Sequence, residues 1–114
     1  MPAFADPFSF NVDRKITKDE LVQAIRVDIA GELEAIYLYD AHIQATDDIV
    51  VKEILADIRD EEKLHVGQLM RLLSYLDPDG AVHFNEGQEE GQEMIESLAK
   101  TALQANTVGS LIEE

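Results

Sequence analysis

The sequence contains no cysteine, and this absence limits the chemistry that is open to the chain. Disulfides, iron–sulfur clusters and thiol nucleophiles are excluded, so any metal ion must bind through oxygen and nitrogen ligands. Tryptophan is also absent, and aromatic residues make up only 6% of the 114 positions. A chain this short and this poor in aromatic side chains buries a modest core, which favours one small domain that is stabilised by oligomerisation.

Basic residues are scarce: nine Lys and Arg stand against 24 Asp and Glu, which gives a formal net charge of −15. This charge argues against nucleic acid and anionic membranes as partners, and its field attracts cations. No stretch approaches the ~18 apolar residues of a membrane span. The N-terminal "MPAFADPFSFNVDRK" lacks the basic start and the apolar run of a secretory signal. We therefore expect a cytoplasmic protein with no nucleic-acid partner and no membrane partner.

Helix start and stop signals divide the first two thirds of the chain into two long helices. The "TKDE" of Thr17–Glu20 is a capping box, which predicts a helix from about residue 17 to about residue 45. The "QATDD" of 44–48 interrupts the pattern, and Thr46 or Asp47 is the expected N-cap of the second helix. That helix is expected to end near Leu76, where "LDPDG" predicts a turn.

The remaining segments give weaker signals. Residues 82–85 ("VHFN") suggest a short extended piece, and a third, shorter helix is expected over about 86–104. We expect an N-terminal arm at 1–16, a helical domain at 17–104 and a free tail at 105–114. The predicted fold class is all-α, an antiparallel two-helix hairpin with a short C-terminal helix.

Each long helix has an apolar seam at heptad spacing, and polar residues interrupt both seams at one level. Glu32 lies about as far before the link as Glu62 lies after it, roughly 22 Å from the turn, and His65 is one turn further on. An isolated buried carboxylate costs several kcal/mol unless it is paired or coordinated. The predicted seams are Leu21, Ile25, Ile29, Glu32, Ile36, Tyr39 and Ile43 in the first helix, and Val51, Leu55, Ile58, Glu62, His65, Leu69, Leu72 and Leu76 in the second.

The pair Glu62-x-x-His65 places a carboxylate and an imidazole on one helical face. Di-iron carboxylate bundles use two such pairs together with one Glu from each of two further helices. This chain therefore holds half of such a site, and a two-fold dimer of hairpins would complete a four-helix bundle with the full set. The donors suit Fe(II), Mn and Zn, and the carboxylate-rich set favours iron. Glu61, four residues before His65, is a competing candidate ligand.

Two other interpretations stay open from the residues alone. The polar seam residues could fix the register of a non-catalytic oligomerisation or metal-binding module, with no chemistry. A small rubrerythrin-like peroxidase is a second alternative, although the rubredoxin-type iron site usual in that family needs cysteines and the sequence has none.

The segments "ELEAIYLYD" (32–40) and "RDEEKLH" (59–65), together with "NTVGSL" (106–111), resemble the encapsulated ferritins. The resemblance implies a hairpin protomer that dimerises into a ferritin-like four-helix bundle, with dimers arranged in a ring that is typically decameric. It also implies oxidation of Fe(II) at a ferroxidase site with two irons per subunit pair. The C-terminal tail would dock the protein inside an encapsulin nanocompartment, whose shell holds the Fe(III) mineral.

The same resemblance assigns roles to single residues. Glu32, Glu62 and His65 match the iron ligands, and Tyr39 matches a tyrosine close to the centre. Glu34 matches part of a secondary metal-entry site. Calcium, manganese or zinc are expected as substitute or secondary ions.

Overall fold

The computed structural model describes the backbone of residues 13–113 and the side chains of residues 13–106. Three α-helices follow one another, α1 (Lys18–Gln44), α2 (Ile49–Leu76) and α3 (Pro78–Glu113), and the described backbone contains no strand. The all-α fold class is confirmed. Most of the expected N-terminal arm, residues 1–12, lies outside the described residues.

The capping box predicted at the start of α1 is present. Thr17 Oγ1 accepts a hydrogen bond from the backbone N–H of Glu20 at 3.2 Å, and Glu20 Oε1 accepts one from the backbone N–H of Thr17 at 2.9 Å. Arg14 donates to both carboxylate oxygens of Glu20, at 2.7 and 2.8 Å. The Arg14 bonds, and then the Thr17 N–H, lower the pKa of Glu20 to about 2. The carboxylate therefore fixes the backbone that leads into α1.

The N-cap of α2 differs from the prediction of Thr46 or Asp47. Asp48 is the cap, in extended backbone, and its Oδ1 accepts from the N–H groups of Val50 and Val51 at 3.0 and 3.2 Å. Thr46 Oγ1 instead accepts from the N–H of Asp48 at 3.2 Å. The prediction was wrong because the link is one or two residues longer than expected, and aspartate caps a helix at least as well as threonine does.

The two helices of the hairpin run antiparallel, and ion pairs near both ends show it. Arg26 of α1 pairs with Asp77 at the end of α2 at 3.2 Å, and Asp40 near the end of α1 pairs with Arg59 of α2 at 2.8 Å. All predicted seam positions of α1 are buried or half-buried. In α2 the seam positions Val51, His65 and Leu72 are exposed and the others are half-buried.

The most deeply buried apolar side chains lie at the end of the hairpin that is far from its turn. Val22, Ile25 and Leu73 form this cluster. Further apolar side chains pack against it: Leu21, Ile29 and Leu76. Leu73, which the seam omitted, is more buried than its neighbour Leu72, because α2 is a 3.6-residue helix and its contact face drifts away from a strict seven-residue repeat.

Helix α3 is longer at both ends than the sequence indicated. Residues 82–85 are helical, so the prediction of a short extended piece was wrong, and the helix continues past residue 104 through Glu113. Pro78 occupies its first position, where a missing N–H costs no hydrogen bond and the fixed φ suits a helix. Strong helix formers at 102–105 then extend the helix into the expected tail.

The chain divides into two compact units, one that ends at Pro78 and one that begins at Asp79. The first contains the hairpin, and the second contains α3 from its second residue onward. None of the helices in the described part of the chain is long and apolar enough to cross a membrane.

Candidate metal centre

The three polar residues that interrupt the seams come together in the folded hairpin. Glu62 and His65 share one face of α2 because they are three residues apart. The antiparallel packing places Glu32 of α1 opposite them. His65 Nδ1 lies 3.4 Å from Glu62 Oε2 and 3.8 Å from Glu32 Oε2. One potential ligand atom from each residue lies within 4.8 Å of those of the other two.

The two carboxylates are more covered than the imidazole. The side chain of Glu62 is 18% exposed and that of Glu32 is 28% exposed, whereas the side chain of His65 is 47% exposed. The group is therefore open to solvent on the side of the histidine. Among the described residues, no lysine or arginine pairs with either carboxylate. Two partly covered carboxylates thus lie together without a lysine or arginine partner from the described residues.

The chemistry of these donors fits a divalent cation. Two carboxylate oxygens and one imidazole nitrogen form a set that suits Fe(II), Mn or Zn, and their two negative charges would balance one divalent ion. Donors bound to one ion at about 2.1 Å lie at most about 4.2 Å apart, so a span of up to 4.8 Å needs only a small inward side-chain rotation. Three protein donors leave coordination positions free for a substrate.

The other predicted site residues lie outside this group. Glu34 is exposed on α1, and Tyr39 is half-buried at a seam position about two turns beyond Glu32. The group contains Glu62 and not Glu61, which is exposed. The structure therefore brings together Glu32, Glu62 and His65, and the roles of Tyr39 and Glu34 stay predictions.

A charged cluster beside the group was not predicted. Arg59 Nη1 donates to Asp40 Oδ1 of α1 at 2.8 Å, and Arg59 Nε donates to Asp60 Oδ1 at 3.2 Å. The hydrogen bond to Asp40 is the main cause of a raised pKa for Arg59, and the hydrogen bond from Arg59 lowers the pKa of Asp60. In the sequence, Asp40 follows Glu32 by eight residues and Arg59 precedes Glu62 by three, but these spacings alone do not indicate a bond between Asp40 and Arg59.

Comparison with known proteins places this hairpin in a recognisable group. The sequence model of the family described as "Ubiquinone biosynthesis protein COQ7" matches residues 19–77, the part of the chain that carries all three donors. The encapsulin nanocompartment cargo protein EncC of Myxococcus xanthus is 40% identical over 100 residues, which cover 88% of this chain and 77% of that protein.

Two matches come from Pyrococcus furiosus. A ferritin-like–encapsulin shell fusion protein is 40% identical over 89 residues, which are 78% of this chain and 26% of the fusion protein. The crystal structure of an encapsulated ferritin domain matches with 41% identity and a TM-score of 0.70, over 76% of this chain and 89% of that domain. The shared helical fold and the level of identity together show that the chain belongs to the encapsulated ferritins.

Proposed function

We propose that this protein is a ferroxidase that oxidises Fe(II) to Fe(III) with dioxygen at a di-iron site between two subunits. One observation carries the proposal: Glu32, Glu62 and His65 hold their donor atoms within 4.8 Å of one another, and no lysine or arginine of the described residues pairs with the two carboxylates. Membership of the encapsulated ferritins supports an iron-handling role for these donors.

A single chain supplies too few ligands for two irons. Each hairpin offers two carboxylates and one imidazole, so a two-fold pair of hairpins offers four carboxylates and two imidazoles, which is the ligand set of ferritin-like di-iron proteins. In this arrangement Glu62 would bridge or chelate the two substrate irons, Glu32 would bind one of them, and His65 would bind that same iron through a ring nitrogen. Each Fe(II) gives one electron, so two irons in one site supply a two-electron reduction of dioxygen that one iron performs poorly.

The hairpin has apolar surface available for such pairing. Large apolar side chains of both helices are exposed in the single chain, among them Leu33, Tyr37, Ile54 and Leu64. Surface of this kind marks sites of protein association. We propose a dimer of hairpins as the functional unit. Following the resemblance of the sequence, we also propose that such dimers assemble into a ring of ten subunits.

Two auxiliary roles belong to the same proposal. Tyr39, half-buried on the seam of α1, would lie near the centre, and exposed Glu34 would attract ions that enter it. Calcium, manganese and zinc share these oxygen and nitrogen ligands and would bind as substitute or secondary ions.

The names of the relatives support an encapsulin partner. One relative is an encapsulin cargo protein, and another is fused to an encapsulin shell. We propose that residues 106–111 dock this chain inside an encapsulin nanocompartment in the cytoplasm, where the oxidised iron is stored. The backbone of this segment is the last part of α3, and its side chains from residue 107 onward lie outside the described residues.

The test compares the rate of Fe(II) oxidation in the variant Glu62→Ala with the rate in Glu61→Ala. The second variant is the matched control, because each removes one carboxylate and the two positions are adjacent on α2. Dioxygen uptake and Fe(III) absorbance are measured on the purified protein after anaerobic loading with Fe(II). We expect oxidation to fall to background in Glu62→Ala and to persist in Glu61→Ala. Equal rates in the two variants would refute the site. Metal binding without dioxygen uptake in the native protein would instead favour the non-catalytic metal-binding module.

A further inference from the structure

Arg59 is a cation of α2 that lies on the same helical face as the proposed metal donor Glu62. It precedes Glu62 by three residues, which is the spacing at which side chains of a helix face each other. Lys63 is adjacent to Glu62 in sequence, so it points to another face, where it lies 3.5 Å from Asp60. An arginine with this spacing is a natural ion-pair partner for Glu62, and yet its guanidinium is directed elsewhere.

The guanidinium is held by two carboxylates that are not metal donors. Asp40, on the opposite helix, accepts the shorter bond, 2.8 Å from Nη1, and Asp60 accepts a 3.2 Å bond from Nε. The side chain of Arg59 is only 24% exposed, so it is packed in this position and does not extend into water. The Asp40 bond directs the terminal nitrogens of Arg59 across to α1.

We propose that Asp40 is a positioning residue that keeps Arg59 away from Glu62, so that the Glu62 carboxylate stays free for a divalent cation. The inference rests on the proposed metal site. Without Asp40, Arg59 keeps its full charge and gains the freedom to pair with Glu62. A divalent ion would then have to displace an arginine from one of its own ligands.

Four variants separate this competition from simpler effects. Asp40→Asn releases Arg59. Arg59→Gln breaks the same inter-helical bond but removes the competing cation, and the double variant combines the two changes. Asp60→Asn is the charge-matched control. It changes the net charge by the same amount as Asp40→Asn does, two residues before Glu62, and it leaves the 2.8 Å bond from Arg59 to Asp40 in place.

The probe is Co²⁺, which needs no dioxygen and is titrated into the full-length protein by visible absorption and calorimetry. We expect Asp40→Asn to weaken Co²⁺ binding by about fivefold, the upper end for a partly exposed ion pair. Arg59→Gln and the double variant should bind at least as tightly as the native protein, and Asp60→Asn should differ little from it. Thermal unfolding of each metal-free variant shows whether the hairpin is intact.

The outcomes are separable. If Arg59→Gln also weakens binding, the ion pair serves only to align the helices and the proposal is overturned. Equal weakening by Asp60→Asn and Asp40→Asn would assign the effect to net charge and would also overturn it. If Asp40→Asn fails to fold, Arg59→Gln carries the test alone. If native protein and Glu62→Ala bind Co²⁺ equally, the metal site itself fails, and this inference fails with it.

Discussion

His65 lies one helical turn after Glu62 on α2, and its Nδ1 is 3.4 Å from Glu62 Oε2. The imidazole thus stands on the more exposed side of the donors, with Glu32 completing the group from α1 at 3.8 Å. Two carboxylates this close together repel each other when no metal ion is present. A bound cation would attract both of them and offset this repulsion. If these residues bind a metal ion as proposed, they would lower the stability of the metal-free protein and raise that of the loaded protein.

The first prediction concerns thermal stability with and without metal. Mn²⁺ should raise the Tm of the native protein, and an ion at 100 times its Kd adds about 2.7 kcal/mol to the free energy of unfolding. Glu62→Ala should lose this gain, and its metal-free Tm should equal or exceed that of the native protein. Calorimetry of both proteins, with Glu61→Ala as the control, measures the effect. A metal-induced rise in Glu62→Ala as large as in the native protein would exclude Glu62 as a ligand.

The second prediction links metal to assembly. Because one chain carries half of the proposed ligand set, metal should bind the paired hairpins better than single ones and should shift the equilibrium toward the pair. Sedimentation velocity at low protein concentration, with and without Co²⁺, should show larger species in the loaded sample. His65→Ala removes one donor from each half and should abolish the shift. A monomer that oxidises Fe(II) at the full rate would contradict the two-subunit site.

The third prediction is a pH dependence at the start of α1. The pKa of Glu20 is lowered to about 2, first by the bonds from Arg14 and then by the Thr17 N–H. A carboxylate with a depressed folded-state pKa stabilises the fold above its unfolded pKa of about 4.3, and this stability is lost as the pH falls toward 2. The native protein should therefore be more stable than Glu20→Gln at pH 7, and the difference should shrink between pH 5 and pH 2.

Two further variants separate the contributions at this helix end. Asp19→Asn removes an acid from the same turn without touching the Arg14 and Thr17 bonds, so its stability difference should follow a different and smaller pH course. Thr17→Ala should cost about 1 kcal/mol at every pH above 5, since it removes the capping hydroxyl. Urea unfolding across this pH range measures all three variants. A Glu20→Gln difference that does not change with pH would contradict the Arg14 pairing.

The fourth prediction concerns the C-terminal segment. Deletion of residues 106–114 should leave Fe(II) oxidation in solution unchanged, because none of the three donors lies on α3, and should abolish co-purification with a co-expressed encapsulin shell. Deletion of 112–114 alone keeps "NTVGSL" and should preserve co-purification. Entry of the longer deletion into the shell at the full-length level would refute docking by this segment. Loss of oxidation would show that the segment contributes to the assembled site.

The donor group was predictable from the sequence because it depends on helical period and on the position of the link between two antiparallel helices. Once both helices were recognised, equal distances from the link placed Glu32 beside Glu62, and the i,i+3 spacing added His65. The capping box of α1 was equally local, since Thr17 and Glu20 need only one turn of backbone to meet.

The features that the sequence did not reveal are those for which several neighbouring residues could serve equally well, or which depend on how the two helices pack against each other. Thr46, Asp47 and Asp48 are all able to cap α2, and only the path of the link selects Asp48. Pro78 is compatible with the end of one helix and with the start of the next, and here it begins α3 one residue after Asp77. The bond from Arg59 to Asp40 depends on how α1 and α2 rotate about their axes, which residue spacing along one helix does not specify.

The position of the buried cluster has a consequence for local opening. Val22, Ile25 and Leu73 hold the hairpin at the end away from its turn, whereas at the turn end Ile49 is 65% exposed and Val50 is 62% exposed. In a free hairpin the two helices are therefore packed more tightly at the end away from the turn than beside the turn. The backbone amides beside the turn should exchange with solvent fastest. Glu32 and Glu62 lie between the tightly packed end and the exposed turn end of the hairpin. A protein partner that covered the turn end would therefore also reduce the thermal variation in the distance between these two carboxylates.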